Sequence, residues 1–187
     1  MLQKYPTPEP GVIKYVFRLY TVWQEAQETA WLESMAAEGW HVSGYWLCIY
    51  RFVGGEPRRY RYEFDYRPGF LNAHADYFAL CAEAGWERRY SFMGWHCLRA
   101  DPDIATSAPI YSDRADLANK YRRLLRTLGL AASLSLIAFG VTLILARETI
   151  TTHAPGLVFV SPVLSVTLLV AILRTRWMIN RMGGGGC

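Results

Sequence analysis

Ten residues of this chain occur twice. Trp31-Leu32-Glu33-Ser34-Met35-Ala36-Ala37-Glu38-Gly39-Trp40 returns 46 positions later as Tyr77-Phe78-Ala79-Leu80-Cys81-Ala82-Glu83-Ala84-Gly85-Trp86. In both copies the bulky side chains fall at i, i+1 and i+4: Trp31, Leu32 and Met35, then Tyr77, Phe78 and Cys81. That spacing predicts a helix with one apolar stripe. Gly39 and Gly85 stand where such a helix ends in a left-handed residue, and Trp40 and Trp86 then open a strand. A duplicated helix-to-strand junction implies a duplicated fold.

The flanking residues fit that duplication. Gly11 to Tyr20 sets Ile13, Tyr15, Phe17 and Leu19 against Lys14 and Arg18, the alternation of a strand with one buried face. Thr21 and Gln24 have capping-box spacing for the first helix. Trp40 to Phe52, broken by Gly44, predicts two strands or one bulged strand. Arg58 to Tyr66 places Tyr60, Tyr62, Phe64 and Tyr66 on one face. Its other face, with Arg59, Arg61, Glu63 and Asp65, reads as solvated, with cross-strand charge pairs to Lys14 and Arg18. Asn72 is the expected cap of the second helix. Trp86 to Phe92 and Trp95 to Arg99 are two further strands joined at Met93-Gly94. The strands align at a displacement of 45 (Tyr15 with Tyr60, Phe17 with Tyr62) and the helices at 46.

The predicted fold class is therefore α+β: a tandem strand–helix–strand–strand duplication forming an antiparallel sheet with two helices, followed by a two-helix transmembrane hairpin. A ferredoxin-like βαββαβ sheet is the alternative. The expected divisions are a polar tail (1–11), the duplicated module (12–100), a linker (101–111) and a juxtamembrane helix capped by Ser112 (112–126). Transmembrane helices at 127–146 and 154–173 flank an external loop (147–153), and a basic, Gly-rich tail closes the chain (174–187).

Charge supports the membrane reading. Residues 1–123 balance 15 Lys or Arg against 15 Asp or Glu, so the formal +4 resides in the C-terminal part. Thr127 to Ala146 and Ala154 to Leu173 are each 20 residues without a charge, about the length needed to cross roughly 30 Å of hydrocarbon. Lys120, Arg122, Arg123 and Arg126 precede the first span; Arg174, Arg176 and Arg181 follow the second. By the positive-inside rule both termini are cytoplasmic and the loop is outside, in a multi-pass membrane protein. A nucleic-acid partner is not expected, because basic charge is not concentrated on the folded domain. The polar N-terminus reads as lacking a signal peptide, and four cysteines without paired spacing read as free thiols.

The helix end Glu38-Gly39-Trp40-His41, the strand Arg58-Arg59-Tyr60-Arg61-Tyr62-Glu63-Phe64-Asp65, Ala84-Gly85-Trp86 and Gly94-Trp95-His96 resemble family 2812 of the domains of unknown function. The resemblance covers roughly residues 12–126 and extends to the paired hydrophobic tail. It implies a bacterial protein with two C-terminal spans, often encoded beside PadR-type transcriptional regulators. It brings no activity and no catalytic residues. Gly183-Gly184-Gly185-Gly186-Cys187 is outside the resemblance and fits a natural end, an added tail or a conjugation handle.

No phosphate loop, zinc-protease helix, dinucleotide fingerprint or nucleophile elbow is present, so no catalytic residue is assigned and the chain is not expected to be an enzyme. His41 and His96 are metal candidates that lack an obvious third ligand, and His96 and Cys97 point to opposite faces of one strand. No cofactor is expected. Six of the seven tryptophans lie in the module. They suggest a ligand seam between the halves lined by Trp40, Trp46, Tyr62, Trp86 and Trp95. This layout is similar to the GyrI-like effector-binding domains, which typically use a buried carboxylate for cationic ligands; placing Glu63 and Asp65 on a solvated face argues against that role here. Three functions follow in order. The first is a membrane-tethered cytoplasmic sensor or regulatory module binding a small molecule or a partner protein. The second is a non-catalytic accessory or structural subunit of a membrane complex, and the third an enzyme on lipid or envelope precursors. The expected partners are the lipid bilayer, a membrane or regulatory protein, and further copies of the chain.

Overall fold

The structure, a computed structural model, describes residues 8–69, 74–103, 110–111, 114–149 and 155–183. The caps assigned to Asn72 and Ser112, and the final Gly184–Cys187, lie outside the described residues, as does loop segment 150–154. The chain divides into two compact units, Met1–Ser112 and Asp113–Cys187.

The first unit is α+β, with β1 (Ile13–Phe17), α1 (Glu25–Ala37, entered through a 3-10 turn), β2 (Trp40–Trp46) and β3 (Ile49–Gly54). The second half repeats the order as β4 (Arg61–Tyr66), α2 (Ala75–Glu83), β5 (Trp86–Phe92) and β6 (Trp95–Ala100). The six strands do not join into one sheet, ferredoxin-like or otherwise. They form two antiparallel three-stranded sheets, ordered β1-β3-β2 and β4-β6-β5. The halves match closely. Each has one bulge in its second strand, between Val42 and Gly44 and between Arg88 and Tyr90. Pairing corrects the strand alignment: Ile13 and Phe17 oppose Val53 and Ile49, while Tyr62 and Tyr66 oppose Arg99 and Trp95. Tyr15 is therefore equivalent to Phe64, not to Tyr60.

Local chemistry shapes the junctions as the repeat implies. The Gln24 side-chain oxygen accepts from the Thr21 N–H (3.0 Å) and hydroxyl (2.7 Å), fixing the entry to α1. Both helices end on a glycine at positive φ, 91° at Gly39 and 85° at Gly85. At Gly39 the need is doubled, because a Cβ would come within 2.6 Å of the Gly55 carbonyl oxygen.

Helix α1 is buried between the sheets. Leu32, Met35 and Ala36 share one core with Val42, Tyr50 and Phe52 of the first sheet and with Tyr62, Phe64 and Cys97 of the second. Helix α2 covers only the opposite face of the second sheet, where Cys81, Trp86, Leu98 and Ala100 form a smaller core. The halves therefore stack head to tail rather than about a two-fold axis. In a head-to-tail stack, the face of the first sheet equivalent to the one α1 covers in the second is covered by no helix among the described residues. It carries Ile13, Tyr15 and Phe17, which are exposed together with Leu19. This reverses the expected burial of β1: Val16 is the residue packed inward, against α1's core. Alternation alone identifies two faces, but only the neighbouring layers decide which is covered.

The charged face of β4 is likewise not solvated. Asp65 is 0% exposed and Glu63 lies under the returning chain, where the Ile110 N–H donates to its carboxylate (2.9 Å). Arg61 bonds Glu63 within the strand (2.8 Å), Arg58 pairs with Asp101 (2.5 Å), and Lys14 and Arg18 lie over the rings of Trp40 and Trp31 instead of forming the expected charge ladder.

The second unit contains α3 (Arg114–Thr149) and α4 (Pro155–Gly183), which pack against one another. The Asp116–Val141 stretch of α3, 26 residues containing an 18-residue window of mean hydropathy 1.8, is long and apolar enough to cross a membrane, and little of that window is buried within the chain. Lys120 is fully buried, with Tyr121, Leu124 and Thr175 also buried in this unit.

Substituting Gly39 with alanine should lower stability by about 1–3 kcal/mol, from the left-handed backbone and the clash with Gly55. Thermal unfolding of the full chain in detergent measures this. Gly11→Ala, also at positive φ but with nothing near its Cβ, isolates the backbone contribution.

Candidate functional site

The two sheets meet where β2 runs beside β5, and the seam is lined by rings. Tyr45 stacks on Tyr90 (centroids 5.5 Å apart, planes 23° apart), and Phe92 meets both Tyr45 and Trp46 edge-on at 5.3 Å. The bulges are joined directly, because the Arg89 Nε–H donates to the Val42 carbonyl (3.0 Å). Behind the rings lies Glu28 of α1. Its carboxylate accepts from the hydroxyls of Tyr50 (2.6 Å) and Tyr90 (3.3 Å), one from each half. Burial raises the Glu28 pKa, and the two tyrosine hydrogen bonds only partly offset it. This carboxylate was not legible as a seam residue, since it sits among ordinary charged helix positions three residues before Trp31.

On the outer face of the first sheet, beside the seam, is an open cleft of about 450 Å³. Tyr15, Gly44, Tyr45, Trp46, Ile49 and Arg51 line it. Gly44 makes the floor: it follows the bulge, opposite Arg51, and leaves open the space a side chain would fill. The wall is mostly apolar. Its one ionisable cation is Arg51, held by a bond from Nη1 to the Ser43 hydroxyl (2.9 Å), and no carboxylate lines it.

The structure does not gather the five seam residues expected from sequence. Trp46 lines the cleft. Trp40 is half-buried beneath Lys14, and Tyr62 lies inside the shared core. Trp86 is buried under α2 with Arg61 over its ring, and Trp95 packs against Tyr66 at 5.1 Å. The aromatics that do meet across the seam are Tyr45, Trp46 and Tyr50 of the first half with Tyr90 and Phe92 of the second. Their convergence depends on the parallel placement of β2 and β5, which periodicity does not encode.

The two histidines are far apart in role. His41 bonds the Glu56 carbonyl through Nε2 (2.9 Å) and meets Tyr60 edge-on. His96 lies on the α2 side, its Nε2 3.2 Å from the Arg67 carbonyl and its Nδ1 2.7 Å from the Ser91 hydroxyl. A carbonyl can only accept, so Nε2 carries the proton and Ser91 donates to Nδ1. Burial lowers the pKa of both rings. Cys97 points the other way, into the core, and burial pushes its thiol far up. Among the described residues no three His, Cys, Asp or Glu side chains form a metal-sized cluster. Of the cations assigned to the membrane flanks, Arg122 bonds the Asn119 side chain (3.0 Å) and Arg181 lies over the Trp177 ring.

Asp65 is the most enclosed charge of the first unit. Burial works to raise its pKa, but bonds from the Tyr111 hydroxyl and the Arg67 guanidinium (2.7 Å) prevail and hold it below the ordinary carboxylate range.

These features define a small α+β module of two head-to-tail three-stranded sheets, followed by two long helices. The chain belongs to the family described as protein of unknown function (DUF2812), whose profile matches residues 24–133, from the turn before α1 into α3. No curated protein and no solved structure matches the chain.

Replacing Asp65 with asparagine should cost about 3 kcal/mol, since it leaves Arg67 half-buried beside a neutral group. A depressed carboxyl stabilises the fold above its unfolded pKa, and that contribution is lost as pH falls through the folded value. The wild-type chain should therefore lose stability in acid more steeply than Asp65→Asn, as thermal melts across pH will show.

Proposed function

We propose that the chain is a membrane-tethered regulatory module that binds a small apolar molecule bearing an anionic group. The supporting observation is the Gly44 cleft, an apolar concavity with one cation, Arg51, and no carboxylate in its wall. A flat ring or acyl chain fits between Tyr15, Trp46 and Ile49, and its anionic group would meet the Arg51 guanidinium. The cleft adjoins the seam, so an occupant would touch the joint between the halves. Glu28 lies behind that joint and serves the fold rather than the ligand. In this reading α3 and α4 form a two-span hairpin, with both termini cytoplasmic and Arg147 to His153 outside. The arginines that precede position 127 and follow position 173 support that orientation.

An accessory subunit without a ligand of its own is the second reading. The exposed side chains of β1 favour it, because an apolar sheet face suits a protein partner.

The cleft is tested with fatty acids and aromatic carboxylates such as 2-naphthoate added to the full chain in detergent. Binding should quench tryptophan emission and raise the melting temperature by mass action. Gly44→Val should abolish both effects without lowering the unliganded melting temperature, because its Cβ has only an ordinary 3.7 Å contact with Arg51. Equal responses from the two proteins, or none from the wild type across the panel, would rule the cleft out. For the orientation, a cysteine at position 110 should resist an impermeant reagent in intact cells and react after lysis.

A further inference from the structure

The first unit ends in a blunt apolar tip, and the ends of its six strands form it. Phe17 and Trp46 both oppose Ile49, while Tyr66 and Phe92 both oppose Trp95. The contact between Trp46 and Phe92 brings the two sets together. Beyond them project the β2–β3 turn, Leu47-Cys48, and the β5–β6 turn, Met93-Gly94. Of the eleven large apolar side chains exposed in this unit among the described residues, six lie at this end: Phe17 (74% exposed), Leu19, Trp46 (66%), Leu47 (59%), Ile49 and Met93 (80%).

The turns themselves are unusual. Leu47 and Cys48 have φ of 42° and 68°, and Met93 and Gly94 have 48° and 83°. Two-residue hairpin turns with both φ positive strongly favour Asn-Gly or Asp-Gly. Here the first position of each turn is instead a large apolar residue, held in a left-handed conformation and exposed to solvent. Neither side chain serves the core, so the backbone strain has no return in packing. Strain kept without a packing return points to function.

Each turn also has an arginine beside it, placed equivalently in the repeat. The Arg18 N–H donates to the Cys48 carbonyl and the Arg67 N–H to the Gly94 carbonyl, both at 2.8 Å. The segments 17–20, 46–49, 66–69 and 92–95 contain these two cations and no carboxylate; Asp65, adjoining the third segment, pairs with Arg67 (2.7 Å), while the Arg18 guanidinium lies over the Trp31 ring. Beside β4, the Ile110 N–H donates to Glu63 and the Tyr111 hydroxyl to Asp65. Next in sequence comes the helix whose Asp116–Val141 stretch is apolar enough to span a bilayer.

We infer that this tip is a membrane-contacting surface: Leu47, Met93, Trp46 and Phe17 insert among the lipids while Arg18 meets anionic headgroups. Apolar and tryptophan side chains backed by cations are the composition that binds a bilayer interface. The module is thus held to the membrane by its own surface as well as by its tether, and the inference rests on that tether.

The full chain is reconstituted into vesicles of mixed phosphatidylcholine and phosphatidylglycerol, with benzoylphenylalanine at position 47, 93 or 12. Val12 is exposed at the opposite end of β1. Illumination should cross-link lipid at 47 and 93 several-fold more than at 12. In brominated-lipid vesicles, the double variant Leu47→Asn, Met93→Asn should lose part of the wild type's tryptophan quenching. Its melting temperature in detergent should be equal or higher, because asparagine suits both turns. An incorporated chain that cross-links no lipid at 47 and 93, or is quenched equally with and without the double substitution, overturns this inference and leaves the tether standing. A chain that does not incorporate into vesicles overturns both. The cleft is scored separately, since Gly44→Val should leave the cross-links at 47 and 93 unchanged.

Discussion

One helix carries the first unit. Leu32, Met35 and Ala36 of α1 are buried against both sheets at once, so the shared core exists only when both halves are in place. Truncating a fully buried leucine commonly costs about 2–5 kcal/mol, and at Leu32 that loss falls on two sheets together. The bulge contact from Arg89 to Val42 and the Glu28 bonds to Tyr50 and Tyr90 lie along the same joint and fix its register. Head-to-tail stacking also accounts for the asymmetry of the unit. The second sheet is covered on both faces, by α1 and α2, while the first is covered on one.

That asymmetry separates what the sequence makes legible from what it does not. The helix ends at Gly39 and Gly85, the hairpins and the bulge near Gly44 are local events, written in glycine positions and short apolar periods. The family resemblance was legible for the same reason, since it rested on those junctions. The buried face of β1, the enclosure of Asp65 and the alignment of Tyr15 with Phe64 are decided by layers far away in the chain. A strand pattern such as Ile13-Lys14-Tyr15-Val16-Phe17 has two faces of comparable promise. Among the described residues no helix covers the more aromatic one, and it is exposed. Glu28 was hidden differently: nothing near it in sequence shows that two tyrosines from separate hairpins will reach it.

The candidate cleft and the apolar tip both arise on surfaces that the fold leaves uncovered. Gly44 opens the first because a bulge re-aims the strand and a glycine leaves its floor bare. The second exists because Leu47 and Met93 occupy turn positions where polar, flexible residues would relieve strain. A chain selected only for stability would have little reason to keep either. Their nearness, with Trp46 common to both, suggests how an occupant of the cleft could alter the way the tip meets a surface.

The central claim, that α1 makes the two sheets one cooperative body, is open to a direct measurement. Native-state hydrogen exchange on the full chain in detergent should show the β3 and β6 amides opening with closely similar free energies. Leu32→Ala should lower both by the same amount. If the substitution reduces protection in β3 and leaves β6 unchanged, the halves are independent and the shared-core account is wrong.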